Sequence, residues 1–212
     1  MKDTNKINFV FYENENGHIP FEKYLRKLTK NDRVNVLATL ALIERQGLEV
    51  AFSAKLVKYL TSGIYEVRVQ GKDGISREFF STVSTIAMLL PMDILRKHKK
   101  RIKPKLKKPS NIRKIMRPDT MTKTLDSFIE KELNDSEFAT LYEAETERLE
   151  SAVALVKARE EAGLTQAELA KLSGKTQATI SRMEKGQISS FEVLQTLVHA
   201  MGGTLKIEID FA

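Results

Sequence analysis

Two sets of side chains have types and spacings that could do chemistry. Arg68 and Arg77 flank the short turn QGKDG, so on two adjoining strands their guanidiniums could lie side by side. Two permanent cations held together suit an anion, yet they are equally at home as solvated residues on a sheet face. Gln177, Ala178, Ser181 and Arg182 fall on one side of a short predicted helix, opposite Ile180 and Met183. An amide and a guanidinium can each bond a base edge through two hydrogen bonds. Other chemistries are excluded or unsupported. With no cysteine there is no thiolate nucleophile, disulfide or cysteine zinc site, and His18, His98 and His199 are too scattered for metal-ligand spacing. No cofactor and no metal are expected.

The second set is positioned by residues 162–186, AGLTQAELAKLSGKTQATISRMEKG. Thr165 is a good N-cap for a helix from Gln166 to Leu172, in which Leu169 and Leu172 face a core, and Ser173 and Gly174 end it. Thr176 caps a second helix, Gln177 to Lys185, and Gly186 stops it. Two capped helices joined by a glycine-containing turn describe a helix-turn-helix, with Ala170 small enough to let them cross closely. Further on, Ser190 caps a helix from Phe191 to Met201. Thr204 to Phe211 then alternates strictly, with Leu205, Ile207, Ile209 and Phe211 on one face. A lone strand is unstable, so this one is expected to pair with a second copy and make a homodimer; pairing with the sheet of the first half is the competing reading.

The first set belongs to a different kind of domain. INFVFY reads as an opening strand, Pro20 starts a helix with Phe21, Tyr24, Leu25 and Leu28 on one face, and Asn31 caps another from Asp32 to Gln46, stopped by Gly47. Ile64–Val69, Ile75–Val83 and Thr85–Leu90 read as an antiparallel meander. The expected class is α+β, an antiparallel sheet with a helical hairpin, followed by an all-α helix-turn-helix domain with a C-terminal strand.

A chain of 212 residues with 42% hydrophobic residues is long enough for two domains with real cores. No apolar run reaches membrane-spanning length and no signal-peptide core opens the chain, so a cytoplasmic protein without a membrane partner is expected. Split before Met121, the first part holds 25 Lys+Arg against 12 Asp+Glu and the second 10 against 16, a division of +13 and −6 within the total of +7. A basic unit tied to an acidic one suits nucleic-acid binding restrained by an internal partner, although solvated faces can differ in sign for no such reason. The expected boundaries are 1–92, a basic stretch 93–120 that is a linker or a degenerate domain end, and 121–212.

Residues 162–186 resemble the lambda-repressor-like (XRE, Cro/C1-type) DNA-binding family through Leu164, Thr165, Gln166, Leu169, Ala170, Ile180, Ser181, Glu184 and Gly186. The resemblance implies operator DNA as partner, with Gln177, Ala178, Ser181 and Arg182 at base edges and Gln166, Thr176 and Lys185 near phosphates. The first half resembles the RelE/HigB-like toxins, in particular their phage-derived Gp49-like branch, through LxxGIYEVRV and the run ISREFFSTVSTIAMLL. Tyr65, Glu66, Val67, Arg68, Arg77, Phe79, Phe80, Leu89 and Leu90 carry the match. That resemblance implies metal-independent cleavage of messenger RNA on the ribosome, with Arg68 and Arg77 stabilising the phosphate, Tyr65 a further catalytic candidate, and Lys55 and Lys58 on the RNA backbone. After Leu90 the chain departs from the toxin pattern; Lys97 and Lys99 are further RNA-binding candidates, although with the family's end lost to a shifted reading frame they and Lys100 would only imitate the missing lysines. The acidic segment from Met121 resembles HigA-like antitoxins, whose helices pack on the toxin. Together these imply a fused toxin–antitoxin autorepressor or, if the toxin half is dead, a repressor with an inert appended domain.

Overall fold

The structure, a computed structural model, describes residues 7–11, 16–61, 64–71, 74–83, 86–90, 123–188 and 190–206. They divide into two compact units between Thr146 and Glu147. Among the described residues no helix is long and apolar enough to cross a membrane.

The first unit runs β1 (Asn8–Phe11), α1 (Pro20–Leu25), α2 (Lys30–Ser53), β2 (Val57–Thr61), β3 (Ile64–Gly71), β4 (Gly74–Val83), β5 (Ile86–Leu90), α3 (Leu125–Glu132) and the start of α4 (Ser136–Glu161). Its class is α+β, as the sequence implies. The five strands lie in the order β1-β5-β4-β3-β2. The antiparallel expectation holds from β5 to β2, but β1 joins parallel to β5, with Phe9 across from Ala87 and Phe11 across from Leu89. β2 was not foreseen. Its register slips between Tyr59 and Thr61, a bulge that spoils the alternation by which a strand is read.

Local chemistry accounts for the helices. Pro20 sits in the first turn of α1. The cap of α2 is Thr29 rather than Asn31: its hydroxyl accepts from Asp32 N at 3.2 Å and donates to the Asp32 carboxylate at 2.7 Å. Gly47 does interrupt the helix, at φ 82°, and six more helical residues follow it. Val34, Leu37, Leu40 and Ile43 of α2 pack with Phe9, Phe11, Val67 and Phe80 of the sheet.

Residues 123–146 complete that core. Phe11 N–H donates to Lys123 O at 3.1 Å, and Val10 bridges Thr124 in antiparallel sense, so this segment lies along the outer edge of β1. Leu125, Phe128, Ile129 and Phe138 join the buried cluster, with the Phe128 ring 5.6 Å from that of Phe11. Charges follow the apolar contacts: Lys30 meets Asp135 at 2.9 Å and Glu137 at 2.5 Å, and Arg33 meets Glu132 at 3.1 Å. The bonds to Glu137 and Asp135 hold Lys30 charged above its ordinary range, and Lys30 holds the Asp135 carboxyl below its own.

The second unit consists of the rest of α4 with α5 (Gln166–Ser173), α6 (Gln177–Met183) and α7 (Phe191–Ala200). Leu155, Leu169, Ala170, Ile180, Met183 and Leu197 form its core. Leu172, expected inside, is 60% exposed. The helix ends one residue later and Gly174 turns the chain left-handed at φ 66°, so Leu169 and Ala170 fill the interior instead.

Candidate nucleic-acid interface

The helix-turn-helix is built from caps inward. Thr165 Oγ1 accepts from Glu168 N at 3.2 Å while the Glu168 carboxylate accepts from Thr165 N at 2.7 Å, a reciprocal capping box. Those bonds also hold Glu168 below the ordinary carboxylate range. Thr176 caps α6 by accepting from Thr179 N at 3.1 Å. With Ile180 and Met183 buried, α6 turns Gln177, Ala178 and Arg182 to solvent and leaves Ser181 half-buried; Lys185 is exposed at its end.

Two of the expected phosphate contacts are already engaged. The Thr176 hydroxyl is the helix cap, and the Gln166 amide donates to the Glu184 carboxylate at 2.6 Å. Glu184 is the centre of a buried network that the sequence reading did not find. Arg159 Nε donates to Glu184 Oε1 at 2.5 Å and Arg159 Nη1 to Leu164 O at 2.8 Å, with Arg159 8% and Glu184 7% exposed. This ties α4, the loop before α5, the start of α5 and the end of α6 into one piece. A signal was present: Arg159 continues the buried stripe of Ala152, Leu155 and Val156, so a charge falls at a core position and requires a partner.

A second tie works on the same end of α6. Arg148 donates through Nη1 to Lys185 O, and its side chain lies over Gly186, which has φ 78°. A methyl at Gly186 would come within 2.6 Å of Arg148 Nη1 and 2.9 Å of Arg148 O. Gly186 therefore serves both conformation and close approach.

On the sheet, the register sorts the other predicted residues. Arg68 lies directly across from Arg77, and Lys58 directly across from Glu66. Opposite residues of an antiparallel pair share a face, so Lys58, Glu66, Arg68 and Arg77 occupy positions on one side of the sheet. Arg68 Nε donates to Glu66 Oε1 at 2.8 Å. Tyr65 is three residues from Arg68 and stands on the other face, where it stacks on Phe80 at 4.9 Å and joins the core. The sheet thus brings the two arginine positions together and separates Tyr65 from them. Lys55 is exposed in the turn after α2, at φ 58°. Lys97 and Lys99 lie outside the described residues, as does the predicted C-terminal strand from Ile207 onward. Among the described residues no group of three His, Cys, Asp or Glu could hold a metal ion.

Residues 23–109 match the family of phage-derived Gp49-like proteins, and residues 155–207 match the helix-turn-helix family. No curated protein and no solved structure matches the chain. Both resemblances read from the residues are met, and the chain joins a Gp49-like segment to a DNA-binding helix-turn-helix. The Gp49-like match runs on past Leu90 to residue 109, into the basic stretch in which the sequence reading saw the family pattern end.

Proposed function

We propose that the chain is a fused toxin–antitoxin protein that binds its own operator and represses transcription, with an mRNA-cleaving half restrained by the half that carries the helix-turn-helix. The observation that carries this reading is the packing of residues 123–146, the segment leading to the helix-turn-helix, into the core of the unit bearing the Gp49-like segment. As a homodimer, paired through the alternating C-terminal segment, the protein sets two α6 helices about ten base pairs apart on an inverted repeat. Gln177 and Arg182 bond adenine and guanine edges, the Ala178 methyl meets a thymine, and Ser181 adds a hydroxyl; Gln166, Thr176 and Lys185 lie near phosphates.

In the other half the reaction, on the ribosome and without a metal, is attack of a ribose 2′-hydroxyl on the neighbouring phosphate, which breaks the P–O5′ bond and leaves a 2′,3′-cyclic phosphate and a 5′-hydroxyl protonated by water. Arg68 and Arg77 neutralise the charge that gathers on the phosphate, and Glu66, the carboxylate beside Arg68, receives the hydroxyl proton. Lys55, Lys58, Lys97 and Lys99 contact the RNA backbone. A second reading, a repressor whose Gp49-like half is inert, is favoured by the Glu66–Arg68 ion pair, which already neutralises one guanidinium.

Two arms test the proposal. A reporter driven by the DNA upstream of the gene is repressed by the full chain and released by Arg182→Ala; no repression by a folded chain removes the operator reading. For the nuclease, residues 1–120 and 121–212 are expressed as separate pieces and supply of the second is then stopped. Growth arrest with mRNA cleavage, abolished by Arg77→Ala, supports a live toxin. Continued growth with a soluble first piece leaves the inert-domain reading.

A further inference from the structure

The geometry points to a base-stacking platform for single-stranded RNA on the outer edge of the sheet, formed by Phe52 and Tyr59 and flanked by Lys55 and Lys58. It rests on the RNA-cleaving reading above and deepens it by naming where the strand lies before it reaches Arg68 and Arg77. Phe52, at the end of α2, is 40% exposed and Tyr59, on β2, 52%. The two outer rings are held from behind. Phe52 lies 6.0 Å and Tyr59 5.4 Å from the ring of Tyr65, Tyr65 stacks on Phe80 at 4.9 Å, and Phe80 meets Phe9 edge-on at 5.1 Å. A chain of rings anchored in the core thus fixes the exposed pair, and such faces stack a base with little further ordering.

Charge and backbone select the occupant. Lys55 and Lys58 are exposed between Phe52 and Tyr59 in the chain, and residues 1–120 carry 25 Lys+Arg against 12 Asp+Glu. A cationic border round flat rings is how single strands are held without sequence readout. A protein strand added to this edge is disfavoured, because the turn before β2 holds Lys55 left-handed at φ 58° and the register of β2 shifts between Tyr59 and Thr61. Lys58 leads round the edge to the site: Tyr59 lies across from Tyr65 on the core-side face, and its neighbour Lys58 is on the opposite one. It lies across from Glu66 on the face of Arg68, and the diagonal from Lys58 to Arg68 spans about 7–8 Å between Cα atoms.

The test uses the full chain and a fluorescein-labelled 2′-O-methyl oligoribonucleotide of mixed sequence, which lacks the attacking hydroxyl, with unlabelled duplex DNA present to occupy the helix-turn-helix. Tyr59→Ser and Tyr59→Leu are each expected to weaken binding about 5- to 150-fold, while Tyr59→Phe, which keeps the ring, binds as the parent does. Lys55→Ala and Lys58→Ala each flatten the salt dependence of binding. The platform is overturned if the parent does not bind the probe, or if the serine and leucine variants bind as it does; the same variants shifting a dimer to monomer would then mark the patch as a contact between copies. Ring-dependent binding by the full chain, with no mRNA cleavage when soluble residues 1–120 are left without residues 121–212, would sink the nuclease reading alone. Cleavage with an affinity indifferent to Tyr59 would sink the platform alone.

Discussion

The two units use ion pairs in opposite ways. Where residues 123–146 meet α2, Lys30 pairs with Asp135 and Glu137 at a wet margin, and the contact is held by Phe11, Phe128 and Phe138 beneath it. In the helix-turn-helix unit the pair is inside: Arg159 and Glu184 are nearly free of solvent and link α4 to the end of α6. The difference lies in what each pair can do. Exposed pairs contribute little energy and serve as matching marks, whereas a buried, fully bonded pair fixes one arrangement and penalises every other.

The sharpest way to break that contrast is to remove one buried partner. Glu184→Ala leaves Arg159 charged and unpaired in the core and is expected to cost about 3–5 kcal/mol, seen as faster amide exchange across α5 and α6. A cost below that of losing an ordinary surface pair would erase the distinction between the units. In the first unit the comparable loss comes from an apolar residue: Phe128→Ala is expected to destabilise by about 3–5 kcal/mol and to speed exchange in β1 and α2. Unchanged exchange there would mean that residues 123–146 are not part of this core. Gly186→Ala, forced against Arg148 O at φ 78°, is expected to cost about 1–3 kcal/mol and to weaken operator binding with it. An alanine variant as stable as the parent would show that Arg148 gives way freely.

The smallest effect belongs to the wet margin. Asp135 is depressed by Lys30, so its contribution is present above its unfolded value and is lost as pH falls through the lower folded one. Lys30 is raised, so its contribution is present below its unfolded value and is lost only as strongly alkaline pH passes its folded one. Between these limits the stability of the first unit should be the same for Lys30→Gln and the parent within a narrow margin, as urea titration would show. A large deficit in the variant would make the exposed pairs structural after all.

What was legible in the sequence was mostly local. Thr165, Thr176 and Ser190 read as caps and each accepts the bond that a cap accepts, because capping is decided within four residues. Asn31 was read as the cap of α2, whereas the bond from Asp32 N shows that Thr29 holds that place. The β1–β5 pairing joins residues 78 apart in sequence, which no window along the chain contains, with Asn8 across from Ile86. The separation of Tyr65 from Arg68 was readable and missed, since a spacing of three along a strand places two residues on opposite faces. The Arg159–Glu184 partnership was half readable: the stripe gives the buried charge and not its partner.

The bridge from Val10 to Thr124 also sets an order in time. β1 leaves the ribosome early, yet its outer edge is covered by a segment made more than a hundred residues later, and Phe138 must follow before the core is whole. At about 5–20 residues per second the wait from the last strand to Phe138 is roughly 2–10 s. The sheet therefore reaches its finished packing only when the segment that flanks it has been synthesised on the same chain. The core of the first unit is thus completed in cis, one flanking segment for each sheet, with no dependence on a second chain.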